Sequence, residues 1–271
     1  MRYSLFSLAG IVVLVLLYSI IHLSFLRVDH VTFSGVETLD PVELEGVAKS
    51  VLTGSTLGIF PRDSIFFVSS SHVEKILFEK FPKLETIHAS RDGLSGVEVE
   101  VTERKPAVLV CSGFHEVGVE ETESADETCF FADEKGYVFA PAPEFSGGVY
   151  LRYYLSADEG VDPLGKTFVE LERFQKLQAF ASSLTARGIK VRGMLLAPDG
   201  MYEAYVKNTD QSEAIVYFDD KSPFEKTASN LTAFWDNAHA TKTAKKNATS
   251  TSAIFEYINL RFGNNIFYVL K

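Results

Sequence analysis

The chain has 271 residues, 46% hydrophobic and 23% charged, with a formal net charge of -10 at pH 7. That balance excludes a nucleic-acid binder, which needs a basic footprint, and does not favour electrostatic contact with anionic lipid. With 22 Phe and 11 Tyr it has the composition of a folded protein and not of a disordered one.

Residues 5–26 (LFSLAGIVVLVLLYSIIHLSFL) form one uninterrupted apolar run, with His22 its only readily ionised group. A helix of roughly twenty apolar residues crosses a bilayer core about 30 Å thick. Leu23, Ser24, Phe25 and Leu26 offer large residues where signal-peptide cleavage needs small ones, so the run is expected to be a retained anchor behind a short cytoplasmic tail, 1–4. Arg2 against Arg27 gives little charge bias. Orientation is read from the long chain that follows with no second apolar segment, which places the C-terminal region outside the cytoplasm. About 245 residues remain, enough for two domains.

The first module is expected over 27–104. Residues 28–33 read as a strand ended by Ser34-Gly35. Asp40-Pro41-Val42-Glu43 starts a helix, with Asp40 as N-cap and Pro41 at the first helical position. Leu44, Val47, Ala48, Val51 and Leu52 then share one face. Ser71-His72-Val73-Glu74 spells a capping box for a second helix carrying Val73, Ile76, Leu77 and Phe81, which Pro82 stops. Residues 85–91, a turn at 92–96 and the alternating run 97–103 close the module as two strands, giving the order βααββ.

The second module, 105–271, reads as an antiparallel sheet with helices packed on one face, which makes the whole chain α+β. Runs ending at Cys111 and beginning at Cys129 would pair antiparallel. Their sulfurs either form a disulfide, in an oxidising compartment, or remain two buried thiols. Between them, Glu116, Glu120, Glu121, Glu123, Asp126 and Glu127 read as a solvated hairpin tip. Residues 150–155 form a strand, and Thr167 caps a helix carrying Phe168, Leu171, Phe174, Leu177, Ala181 and Leu184. Strands at 189–196 and 201–206 flank the turn Ala197-Pro198-Asp199-Gly200, and 213–218 adds another. Ser222-Pro223 opens a helix in which Trp235 packs on the sheet. A low-complexity loop is expected over 237–252. Last, 254–260 and 266–270 flank the turn Gly263-Asn264-Asn265 as a hairpin. Its final strand is apolar on both faces, an aggregation hazard at a sheet edge unless a partner strand covers it.

No motif for nucleophilic, metal or nucleotide chemistry occurs. The six His are dispersed, and Asp219-Asp220 suits a turn better than a shared proton. The chain is expected to be no enzyme and to need no cofactor or metal.

Taken together, several short motifs resemble the bacterial cell-division family FtsQ/DivIB. They are Val99 to Ala107 (VEVTERKPA) against "V-x-E-R-x-P-A", Phe81-Pro82, Asp133-Glu134-Lys135-Gly136-Tyr137-Val138-Phe139 against "D-x-x-G-x-V-F", and Tyr257-Ile258-Asn259-Leu260-Arg261-Phe262 against "V-D-L-R-Y/F". Asn259 stands where the family has Asp. The resemblance implies a POTRA domain behind the anchor, then an FtsQ-type β domain. It also implies a non-enzymatic divisome scaffold in the plasma (inner) membrane at the septum. Its implied partners are FtsB/DivIC-like and FtsL-like single-pass proteins, with other divisome proteins at the POTRA-like domain. Docking by strand addition is carried over to Ile258, Leu260, Arg261, Phe262, Ile266, Phe267, Tyr268 and Val269. Phe262 and Tyr268 would otherwise simply close the core. The competing reading is a POTRA-bearing periplasmic transport or outer-membrane assembly factor.

Overall fold

The computed structural model describes residues 6, 10–13, 15–16, 18–19, 23–56, 60–112, 128–144, 148–155, 162–197, 199–208, 213–243 and 255–270. The chain divides into two compact units, 1–104 and 105–271. Of the anchor expected at 5–26, positions 6, 10–13, 15–16 and 18–19 are helical and exposed, while the others up to 22 lie outside the described residues. Among the described residues no helix is long and apolar enough to cross a membrane.

In the first unit a 3-10 turn at Ser24–Leu26 leads into β1 (His30–Ser34) and α1 (Pro41–Leu52). Two very short strands follow, β2 (Ser55–Thr56) and β3 (Phe60–Pro61), then α2 (Ser70–Lys80), β4 (Leu84–Asp92) and β5 (Gly96–Glu103). The main sheet runs β1-β5-β4, with β1 parallel and β4 antiparallel to β5. β1 lies parallel to β5 because both helices intervene before the closing hairpin brings the chain back. Asp40 caps α1 by accepting the Val42 N–H at 2.9 Å, with Pro41 in the first turn. Leu44, Ala48 and Leu52 of α1 and Val73 and Leu77 of α2 are buried against Val97, Val99 and Val101, which β5 turns inward at every second position.

Glu74 departs from its expected part in a capping box. It accepts the Ala89 N–H at 2.8 Å, an outward-facing donor of the edge strand β4. The carboxylate thereby satisfies a group that no neighbouring strand reaches.

Among the described residues the second unit holds one nine-stranded sheet. Its strands in chain order are β6 (Val108–Ser112), β7 (Thr128–Ala132), β8 (Val138–Pro141), β9 (Arg152–Leu155), β10 (Ile189–Leu196), β11 (Met201–Asn208), β12 (Glu213–Asp219), β13 (Phe255–Phe262) and β14 (Asn265–Leu270). Their spatial order is β14-β13-β12-β11-β10-β9-β6-β7-β8. The sheet is mixed, which corrects the expected antiparallel one: β6 with β9, β9 with β10 and β12 with β13 are parallel. Two of these pairs follow from helical crossovers. β9 reaches β10 through α3 (Leu171–Thr185), and β12 reaches β13 through α4 (Phe224–Thr243).

Both helices belong to a core with Tyr153, Phe174, Leu177, Phe180, Tyr202, Phe218, Leu231 and Trp235, in which Phe180 stacks on Phe218 at 4.5 Å. Two boundaries differ from expectation. Thr167 bridges Tyr137 instead of capping a helix, and Phe168 packs its ring on Tyr153 and Phe174 ahead of α3. α4 continues through Thr243, into the segment read as a loop, because Ala and Lys at 238, 240 and 242 are good helix formers. Positions 244–252 of that segment lie outside the described residues, as does the acidic run at 116–127. Cys111 and Cys129 face each other across β6 and β7 and are joined by a disulfide.

Candidate partner-docking edge

The C-terminal hairpin closes one end of the sheet. β13 pairs with β12 on one side and β14 on the other, whereas among the described residues β14 pairs with β13 alone. A row of main-chain donors and acceptors on the outer side of β14 is therefore unmatched by any strand among the described residues. Gly263, at φ 67°, turns the hairpin, and Asn230 of α4 donates its amide to the Gly263 carbonyl at 3.3 Å, fixing the turn beside the helix.

Alternation along β14 splits its side chains between two faces. Ile266 packs against the helix-side core, and Tyr268 meets Phe234 of α4 at 5.1 Å and Phe255 at 5.6 Å. Phe267 and Val269 take the opposite face, where Phe267 meets Phe262 edge-on at 5.1 Å. Exposure is large for these types: 56% at Phe262, 54% at Phe267 and 49% at Tyr268, with Val269 and Leu270 exposed as well. Exposed apolar side chains along an edge strand are what strand addition uses, main-chain bonds giving affinity and side chains selectivity.

The eight residues read as the docking surface separate here. Phe262, Phe267, Tyr268 and Val269 come together at the exposed edge, and Ile266 forms its inner margin. Ile258 and Leu260 do not belong to it: both are buried in the core, in the inward phase of β13. Arg261 is half-buried, its guanidinium 5.6 Å from the centre of the Tyr217 ring and its Nε donating to Asn259 Oδ1 at 3.1 Å. Asn259 Oδ1 also accepts the Arg261 N–H at 3.2 Å, so the side-chain amide carbonyl makes the local bonds at the position where an Asp was expected. The register slips between Asn259 and Phe262, a bulge that re-aims this stretch of β13. Leu270 and Phe234 were missed from sequence. The unbroken apolar run 266–270 could have found the first, while the second depends on a helix crossing far along the chain.

No protein-family model matches the chain. The chain is 38% identical over 99 residues to the cell division protein FtsQ of Streptomyces griseus. That similarity supports an FtsQ-family assignment. The match takes in 36% of this chain and 43% of that relative, so less than half of the relative's length is spanned.

The FtsQ-like exit motif around residue 103 has a definite structural task. Glu103 ends the inward phase of β5 and is 5% exposed. Its Oε1 accepts the N–H groups of Glu37 at 2.8 Å, Thr38 at 2.7 Å and Leu39 at 3.0 Å, while Oε2 accepts the Thr38 hydroxyl and faces Lys83 Nζ at 3.6 Å. Burial alone would push this carboxyl up. The Thr38 hydroxyl and the three N–H donors outweigh it and hold the pKa down at about 2. The next residue continues the clamp, Arg104 donating its N–H to the Lys83 carbonyl at 2.8 Å and its Nε to the Pro82 carbonyl at 3.1 Å. The chain thus leaves the first unit from a fixed point. Sequence could have flagged Glu103, which shares the phase of Val97, Val99 and Val101.

Proposed function

We propose that the chain is a non-enzymatic scaffold of bacterial cell division whose β14 edge receives a strand from a small single-pass membrane partner of the FtsB/DivIC type, itself paired with an FtsL-type chain. The carrying observation is the edge itself, a terminal hairpin whose last strand pairs on one side only among the described residues, with exposed Phe262, Phe267, Tyr268, Val269 and Leu270. The similarity to an FtsQ supplies the cellular context, cell division at the septum. The apolar run 5–26 supports a single transmembrane anchor in the plasma membrane with the N-terminus cytoplasmic and both folded units outside. The main sheet and two helices of the first unit follow the order β1-α1-α2-β4-β5, with the short pair β2-β3 inserted between the helices and β1 parallel to β5, which supports reading 27–104 as a POTRA domain and a site for other divisome proteins.

Complementation tests this reading. Replacing both Phe267 and Val269 by Lys alters two exposed side chains of the open face, so stability should move by no more than about 0.5 kcal/mol per site. Cells depleted of the wild type and relying on the double variant should filament, and normal septation would refute the edge as the functional surface. Thermal unfolding of the purified variant checks that a filamenting strain has lost docking and not the fold.

A further inference from the structure

The first unit carries a second exposed apolar group that neither the core nor the β14 edge uses. The turn after β3 sends Ile65 and Val68 inward, at 4% and 6% exposure, yet holds Phe66 and Phe67 outward at 53% and 41%. Local bonds fix that arrangement: Phe67 N–H to the Ser64 carbonyl at 2.8 Å and Val68 N–H to the same oxygen at 3.1 Å. Three more bonds tie this turn and the β4–β5 turn to the last residue of the apolar run, Leu26, and to the two residues Val28 and Asp29 just behind it. Ile65 N–H donates to the Leu26 carbonyl at 2.8 Å, Val28 N–H to the Asp63 carbonyl at 2.6 Å, and Asp29 N–H to the Ser95 carbonyl at 2.8 Å. Beside them Phe25 and Leu94 are also exposed.

We propose that Phe25, Phe66, Phe67 and Leu94 form a seat that inserts into the interfacial layer of the bilayer holding the anchor. The inference rests on the anchor reading of 5–26. Leu26 lies four residues beyond position 22, so even fully extended chain keeps these turns within about 15 Å of that part of the apolar run. The polar and interfacial layer on each side of the hydrocarbon core is about 5–8 Å thick, and aromatic side chains favour it. An aqueous surface gives no compensation for four outward apolar side chains, two of them held by a bonded turn, whereas the interface does. Because the seat works by apolar insertion and the chain is acidic overall, neutral lipid suffices and salt should not release it. Seated, the first unit would stand on the membrane instead of swinging from its anchor.

Tryptophan quenching in the full chain tests this. The wild-type chain contains one Trp, the buried Trp235, which supplies the background. Phe66→Trp, Leu94→Trp, Phe78→Trp and Tyr18→Trp are each reconstituted into phosphatidylcholine vesicles with brominated acyl chains. Phe78 sits on α2 eight residues beyond its first residue, about 12 Å along the axis from that residue, and is not one of the four seat residues. The added emission should fall about two-fold or more at Phe66→Trp and Leu94→Trp, be strongly quenched at Tyr18→Trp, and be unaffected at Phe78→Trp. Quenching at Tyr18→Trp with none at either seat position overturns the seat and leaves the anchor standing. No quenching at Tyr18→Trp overturns the anchor reading and the proposal with it. Equal quenching at Phe78→Trp also overturns the seat, since the lipid contact would then be unselective.

Discussion

Replacing Glu103 by Gln removes a charge and little else, which makes it the sharpest probe of the first unit. The carboxyl titrates at about 2 in the folded chain against an ordinary value of 4.5. At about 1.4 kcal/mol per tenfold change in acidity, that difference is worth about 3 kcal/mol of stability for the ionised form. The folded pKa is depressed, so this contribution is complete above about pH 5 and is lost as pH falls from there toward 2. Gln imitates the protonated acid: it can still accept from backbone N–H groups but offers no charge to Lys83 and no second acceptor to Thr38. Glu103→Gln should therefore cost about 3 kcal/mol at pH 7, and wild type and variant should converge near pH 2. Urea unfolding of the full chain in detergent, followed by amide exchange in 30–34 and 84–103, reads the first unit without mixing in the second. Equal stabilities at pH 7, or a gap that persists unchanged at pH 2.5, would refute the reasoning.

Other consequences are simpler. Replacing Cys111 and Cys129 by Ala reopens a loop with a sequence separation of 18, and should cost about 3 kcal/mol in the second unit, with dithiothreitol lowering the wild-type melting temperature to match. Gly35 has φ 82° and a Cβ there would overlap the Val101 carbonyl oxygen, so Gly35→Ala should destabilise the first unit by more than about 2 kcal/mol, read as lost amide protection in β5. Tyr153 is fully buried, and its hydroxyl finds no hydrogen-bond partner among the described residues. Desolvation pushes that phenol well above its ordinary range. Tyr153→Phe should leave the melting temperature unchanged or raise it, by up to about 1 kcal/mol in stability.

Local chemistry was legible in the sequence where neighbouring residues decide it. Asp40 and Pro41 start α1, the alternation from Val97 to Val101 sets β5, and Gly263 turns the last hairpin. What stayed hidden depends on distant partners. Strand direction in the second sheet follows from where α3 and α4 return the chain, so an antiparallel expectation gave way to a mixed sheet. Glu74 spells a capping box but is drawn to an edge N–H fifteen residues on. At the candidate site, the apolar character of 266–270 was plain, and Phe262 of the motif and Phe267, Tyr268 and Val269 of the final strand are exposed. Ile258 and Leu260 looked equivalent in the same motif, yet the pairing of β13 with β12 and β14 turns them inward.

The most direct test of the docking edge is photo-crosslinking from position 262 in the native host, with the captured protein identified by mass spectrometry. The account predicts capture of a small single-pass membrane protein with coiled-coil heptads, lost when Phe267 and Val269 are both Lys. Capture of no such protein, or of many outer-membrane clients irrespective of the Lys replacements, would contradict it.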